Sequence, residues 1–214
     1  MSIEAVLWDY GGVFMASPFE AMSGVARRMG VEPQRYLAIV FGPYDRDTDH
    51  PWHRLERGEL SLAEARERII ELGRAEGIDS DPMHLVTAMG GGGIAVRAEV
   101  VELARQARSD GVRTALVTNN IAEFRDYWRR SIPLDDLFEQ VVDSSEVGLR
   151  KPDPKIFELA LRQLGVAAET AVFLDDYEGN VEGARRMGIR AILVTEEYGA
   201  ALDELRGLLR VRAS

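Results

Sequence analysis

The stretch Ile3-Glu4-Ala5-Val6-Leu7-Trp8-Asp9-Tyr10-Gly11-Gly12-Val13 decides the fold. Five of its first six residues are apolar, which suits a strand buried on both faces of a parallel sheet. A carboxylate and two glycines follow directly, where such a strand ends and the backbone turns. Runs of the same kind recur at 113–118, 138–143, 170–175 and 190–194. Between them lie helical patterns at 98–108, 155–164 and 181–187, each followed by a glycine: Gly111, Gly165 and Gly188. Strands alternating with helices of this length predict an α/β fold, a doubly wound parallel sheet of Rossmann-like design.

One stretch departs from the alternation. From Pro18 to Met89 the pattern is helical throughout, as in the amphipathic segment Leu62 to Gly73, with no convincing strand. It is bracketed by Ala16-Ser17-Pro18 and by Gly90-Gly91-Gly92-Gly93, whose backbone freedom suits a hinge. The expectation is therefore an α/β core of residues 1–16 and 90–214 with a helical cap, 17–89, inserted after the first strand.

The chain has 214 residues, 46% of them hydrophobic, which allows one full domain plus a smaller module. With 26 Lys and Arg against 36 Asp and Glu the net charge is -10, so loose binding to nucleic acid or to an anionic membrane surface is not expected. Any anion must be held by local charge. No run approaches the roughly 18 apolar residues of a membrane span, and Met1-Ser2-Ile3-Glu4 lacks the basic start of a signal peptide. A cytoplasmic protein, monomer or homodimer, is expected. The absence of cysteine excludes disulfides, thiol nucleophiles and Cys-ligated metal sites. His50, His53 and His84 are the only imidazoles, which leaves oxygen chemistry as the main option.

In a doubly wound sheet, ligands bind beyond the carboxyl ends of the strands. Those ends carry Asp9, Thr118 and the pair Asp175-Asp176. Singly, each Asp reads equally as a turn cap. Three carboxylates converging on one spot cannot all stay ionised without a cation, and a hard divalent ion such as Mg²⁺ suits oxygen ligands. Gly11 and Gly12 let the backbone turn its N–H groups towards an anion. Lys151, in Leu149-Arg150-Lys151-Pro152-Asp153-Pro154, precedes a helix with Asp153 as N-cap and a proline first, a turn able to hold one ammonium over the site.

The ordered set Asp9-Tyr10-Gly11-Gly12-Val13, Leu116-Val117-Thr118-Asn119-Asn120, Lys151-Pro152-Asp153-Pro154 and Phe173-Leu174-Asp175-Asp176 with Asn180 closely resembles the haloacid dehalogenase-like (HAD) hydrolase superfamily, in its helical-cap phosphatase branch. The resemblance covers nearly the whole chain. It implies that Asp9 is the nucleophile, forming an aspartyl-phosphate and also ligating Mg²⁺. It implies that Thr118 and Asn119 bind the phosphoryl oxygens, and that Lys151 steadies nucleophile and phosphate. Gly11 would lend a backbone carbonyl to the metal. Asp176 would be its direct ligand and Asp175 the water-mediated one. The segment His53 to Ser61, containing Glu56-Arg57-Gly58-Glu59, also resembles the Glu-Arg-Gly-Glu stretch of sugar-phosphate phosphatases and of the phosphatase domain of some epoxide hydrolases.

One position departs from the pattern. Most phosphatases of the superfamily carry a second Asp two residues after the nucleophile, as general acid and base; here that position is Gly11. Losing such a group typically costs roughly 10²–10⁴ in rate. His53, Glu56 and Glu59 of the cap, or a group on the substrate, are candidate replacements, with His53 and Glu59 preferred. The resulting expectation is a Mg²⁺-dependent phosphatase of a small phosphorylated metabolite, a sugar phosphate or similar. The superfamily's metal-free 2-haloacid dehalogenases and a catalytically weak phosphate-binding protein are the alternatives. Gly90 to Ala95 also fits a dinucleotide G-x-G-x-x-A pattern, but the following strand ends in Thr118-Asn119-Asn120 rather than in the acidic residue that motif needs.

Overall fold

Ala5, Val6, Leu7 and Trp8 are each buried completely, and in the computed structural model they form the first strand, β1 (Ala5–Trp8). The structure describes residues 2–89 and 95–210, so the expected hinge at Gly90–Gly93 lies outside the described residues. Because strand side chains alternate, Val6 and Trp8 enter one hydrophobic cluster and Ala5 and Leu7 another, on the opposite face.

After β1 the chain runs through α1 (Pro18–Arg28), α2 (Pro33–Val40), α3 (Pro51–Glu56), α4 (Leu62–Ala75) and α5 (His84–Ala88), with no strand among the described residues of this stretch. The first three open on a proline behind a capping side chain, Ser17, Glu32 and His50 respectively. The fourth opens on a reciprocal Ser61–Glu64 capping box. Their apolar faces meet in a third cluster around Met22, Tyr36, Val40, Leu55 and Ile69, which Ile121 joins from the α/β part of the chain.

The alternation then resumes: α6 (Ala98–Ser109), β2 (Arg113–Thr118), α7 (Arg125–Arg129), α8 (Leu134–Leu137), β3 (Gln140–Asp143), α9 (Ser144–Val147), α10 (Pro154–Leu164), β4 (Ala171–Asp175), α11 (Glu178–Arg186), β5 (Arg190–Leu193) and α12 (Gly199–Arg210). All strand pairings are parallel, in the order β3-β2-β1-β4-β5. Residues of α6 and α12 pack on one face of the sheet and those of α10 and α11 on the other. This is the doubly wound architecture expected from the sequence, with strand ends within two residues. The strand order reverses direction between β1 and β4, the switch point at which such sheets bind ligands. No helix among the described residues is long and apolar enough to cross a membrane.

Candidate active site

Register decides what meets at the switch point. Trp8 lies opposite Leu116 of β2 and Leu174 of β4, so one residue further on Asp9 comes level with Asp175. The Asp9 N–H continues the ladder to the Leu174 carbonyl at 2.9 Å, which fixes the start of the turn. Asp9, Asp175 and Asp176 each offer a carboxylate oxygen, and these oxygens lie within 4.8 Å of one another.

Lys151 enters this cluster from the loop before α10. Its Nζ donates to Asp9 Oδ1 and to Asp175 Oδ2, both at 2.6 Å, and the side chain is 1% exposed. Asp175 is saturated: the Tyr177 N–H donates to its Oδ1 at 2.8 Å and the Asn180 amide to both oxygens at 3.1 and 3.2 Å. It therefore holds Lys151 in place and does not face the cavity described below. Asp176 does face it, and takes a short hydrogen bond from the Ser17 hydroxyl on the residue that also caps α1.

Burial pushes the Asp9 carboxyl up to about 7, with Lys151 pulling it down and Asp175 pushing it up again. Burial, Asp175 and Asp9 likewise raise Asp176 well above the usual carboxylate range. Burial acts on Lys151 in the opposite sense, but Asp175 and Asp9 outweigh it and hold the ammonium above its ordinary value. One ammonium thus faces three carboxylates, and burial and crowding hold Asp9 and Asp176 against ionisation. That excess of hard, crowded oxygens is what a divalent cation such as Mg²⁺ relieves, and Asp9 and Asp176 present the accessible donors.

The two glycines after Asp9 serve different ends. Gly12 has φ +70°, and a Cβ there would collide with the Asp176 carboxylate, so only glycine lets the turn pass behind the cluster. Its N–H points to the Ala16 carbonyl at 3.4 Å and it does not line the cavity, so the structure does not bring it to the position expected of a phosphate ligand. Gly11 does line the cavity, and a Cβ on it would sit 3.3 Å from the Pro18 ring. Thr118, 1% exposed at the end of β2, also lines it. Asn119 lies alongside, but its side chain is committed to the Lys151 backbone. Its Oδ1 accepts the Lys151 N–H at 2.8 Å and its amide donates to the Lys151 carbonyl at 3.0 Å, just before a cis Lys151–Pro152 bond. The side chain expected to hold phosphate instead clamps the loop that delivers the lysine.

The two preferred replacements for the missing acid and base do not reach the site. His53 is fully buried in α3, where its Nδ1 accepts from the Thr48 N–H at 3.0 Å, and burial together with Arg150 lowers it to about 2. Glu59 lies among Arg54 and Arg57 at the molecular surface, bonded to both. Neither lines the cavity. Glu56 does, but three donors already occupy its carboxylate: Tyr44 Oη at 2.5 Å, Trp52 Nε1 at 2.8 Å and Arg150 Nε at 2.7 Å. The Asn119 amide also donates to Tyr44 Oη at 3.2 Å, so one buried network links the Lys151 loop to α3. Nothing in the sequence singles out Tyr44, and little singles out Arg150. The only signal was Arg150 standing next to Lys151.

Above these groups opens a cavity of about 470 Å³. Phe19, Phe41, Tyr44 and Trp52 wall it from the helical stretch, and Ile121, Phe124 and Trp128 from the segment after β2. This lining is not legible in the sequence, because its members lie scattered along more than a hundred residues.

A model of haloacid dehalogenase-like hydrolases matches residues 3–188. The chain is 32% identical over 217 aligned residues, 97% of its own length, to Acyl-CoA dehydrogenase family member 10 of Mus musculus, and spans 19% of that protein. It is 39% identical over 90 residues to a phosphoserine phosphatase of Thermus thermophilus, 42% of this chain and 36% of that one. It therefore spans well under half the length of either relative. Among solved structures, a HAD family enzyme of Bacteroides thetaiotaomicron in complex with magnesium and inorganic phosphate superposes with a TM-score of 0.62 at 19% identity, covering 94% of this chain and 99% of the other. An L-2-haloacid dehalogenase of Xanthobacter autotrophicus with chloropropionic acid covalently bound gives 0.58 at 18%, covering 96% and 83%. At those identities the likeness is one of fold; the family model is what assigns the sequence, and the chain belongs to the haloacid dehalogenase-like hydrolases.

Proposed function

We propose that the protein is a Mg²⁺-dependent phosphatase that hydrolyses a monophosphate ester through an aspartyl-phosphate on Asp9, with residues 17–89 acting as the cap. The observation that carries this reading is the buried Asp9–Lys151–Asp175 bridge beside Asp176, a nucleophile held next to a fixed positive charge and a hard-cation donor set. Asp9 and Asp176 would hold the metal with the Gly11 carbonyl; when bound, it supplies positive charge to the transferring phosphoryl group. An Asp9 oxygen attacks phosphorus and the ester P–O bond breaks. Water then attacks the phosphorus of the aspartyl-phosphate, releasing inorganic phosphate and regenerating Asp9. Lys151 and the Thr118 hydroxyl hold the phosphoryl oxygens through both steps. Asn119 serves by fixing the Lys151 backbone, and Asp175 by fixing its ammonium.

Among the described residues of the cap, Glu56 alone brings a carboxyl to the cavity and its oxygens are already bonded, so the departing alkoxide takes its proton from water. Turnover then falls steeply as the leaving group becomes more basic. The test is phosphate release from p-nitrophenyl phosphate and from alkyl and sugar phosphates, with Mg²⁺ and with chelator, for wild type and Asp9→Asn. The expected result is metal-dependent turnover that Asp9→Asn abolishes. Equal background rates on every ester would refute the phosphatase, and metal-free halide release from 2-haloacids would establish the dehalogenase instead.

A further inference from the structure

Resting on the phosphatase reading, we propose that the group esterified to phosphate is apolar: the site takes the monophosphate of a hydrocarbon-rich alcohol in preference to a sugar phosphate. Products are that alcohol and inorganic phosphate, with one water consumed per P–O bond broken.

Asp9, Thr118, Lys151, Asp176 and Asn180 line the cavity at the strand ends, and most of the surface above them is hydrocarbon or aromatic. The rings brace one another: Phe19 lies 4.8 Å from Tyr44 and 4.7 Å from Tyr177, and Phe41 lies 4.8 Å from Trp52, mostly edge to face. Leu85, Val86 and Met89 of the α5 region continue the apolar surface.

Most polar groups in the walls are bonded within the protein, with Asn180 Oδ1 left without a hydrogen-bond partner. Tyr10 Oη shares a hydrogen bond with Ser131 at 2.6 Å, Tyr44 Oη donates to Glu56, and Glu56 has three donors. The Asn119 amide serves Lys151 and Tyr44, and Asn120 Oδ1 accepts the Ile121 N–H at 2.9 Å. No arginine or histidine lines the cavity among the described residues. A sugar placed here would surrender water to several hydroxyls and find few free partners, whereas each methylene of an alkyl chain gains by leaving water. Size does not discriminate, since about 470 Å³ admits either; the lining does.

The test uses the full chain with Mg²⁺ and a series of butyl, hexyl and octyl phosphates against glycerol 3-phosphate and glucose 6-phosphate, with acetyl phosphate as reference substrate. The expected result is a rise in kcat/KM of up to about fourfold per methylene, the equivalent of about 0.8 kcal/mol for each buried CH₂, with both polyol phosphates below the butyl ester. A flat series, or polyol phosphates turned over as fast as the octyl ester, overturns the inference while leaving the phosphatase intact. If even acetyl phosphate is inert, the phosphatase reading fails, and equilibrium binding of methyl-, butyl- and octylphosphonate still decides the pocket: affinity rising with length supports it and constant affinity refutes it. In the same series Val86→Glu, at a 37% exposed position, flattens the slope, as does Ile121→Asn inside; slopes unchanged in both would contradict the assignment.

Discussion

At the scale of single residues the site turns on Lys151 and on the two glycines after Asp9. Lys151 bridges Asp9 and Asp175 from a position 1% exposed, so it balances buried charge. Lys151→Met leaves the two carboxylates facing each other and is expected to cost about 3–5 kcal/mol in urea unfolding, the range for breaking a buried pair. A loss below about 1 kcal/mol would mean that the bridge is solvated. At Gly11 the backbone φ is not in the left-handed region, and only the Pro18 ring at 3.3 Å crowds a Cβ. Gly11→Asp is therefore accommodated with a small shift of Pro18 and restores a carboxyl two residues after Asp9. Turnover of alkyl phosphates should rise relative to p-nitrophenyl phosphate, by part of the roughly 10²–10⁴ typical of a general acid. An unchanged dependence on leaving-group basicity would show that proton transfer is not what Gly11 lacks.

The elements show why some of this was legible in sequence and some was not. Strands buried on both faces leave a continuous apolar run, and β1, β2 and β4 place Asp9, Thr118 and Asp175 at their ends by register alone, so sheet and cluster could both be read from spacing. Helices α7, α8 and α9, of four or five residues each, are too short for a helical period to show. The role of Glu56-Arg57-Gly58-Glu59 was out of reach, because its partners are distant in sequence. Gly58, at φ +69°, lies so close to α9 that a Cβ would stand 2.6 Å from the Ser145 carbonyl, and Glu56 grips Arg150. The motif fastens α3 to the loops after β3, while His53 and Glu59 face away from the chemistry. Glu56→Gln keeps the shape but removes the nearer countercharge of the fully buried Arg150 guanidinium, leaving Asp47 at 3.6 Å. The expected loss is again about 3–5 kcal/mol, read as a fall in the urea midpoint; a midpoint equal to wild type would show that the Arg46 carbonyl, which accepts from Arg150 Nη1 at 3.3 Å, and Asp47 suffice to hold Arg150.

Over the whole molecule, a net charge of -10 coexists with a site organised around one buried lysine, and the histidines mark how far burial overrides solution chemistry. Burial lowers His50 to about 4 and His53, beside Arg150, to about 2, so both are neutral in the fold. In the unfolded chain they bind protons near pH 6.5. Stability is therefore lost as pH falls from 6.5 towards 4, by up to about 1.4 kcal/mol per pH unit for each histidine. Asp9, pushed up to about 7, and Asp176 act in the opposite sense, because without a cation the fold takes up their protons first. Unfolding followed from pH 7 to pH 5 should show a steeper fall with saturating Mg²⁺ than without. His53→Gln should make it shallower by about one proton in either case. Identical slopes for wild type and variant would contradict the neutral, buried His53.

The nucleophilic role of Asp9 is the claim on which the rest depends, and peptide mass mapping of protein acid-quenched during turnover of acetyl phosphate with Mg²⁺ addresses it directly. A phosphoryl group on the peptide carrying Asp9, absent from Asp9→Asn and absent when Mg²⁺ is removed by chelator, is the predicted result. Turnover with no phosphoryl group captured there, or with Asp9→Asn still active, would contradict it.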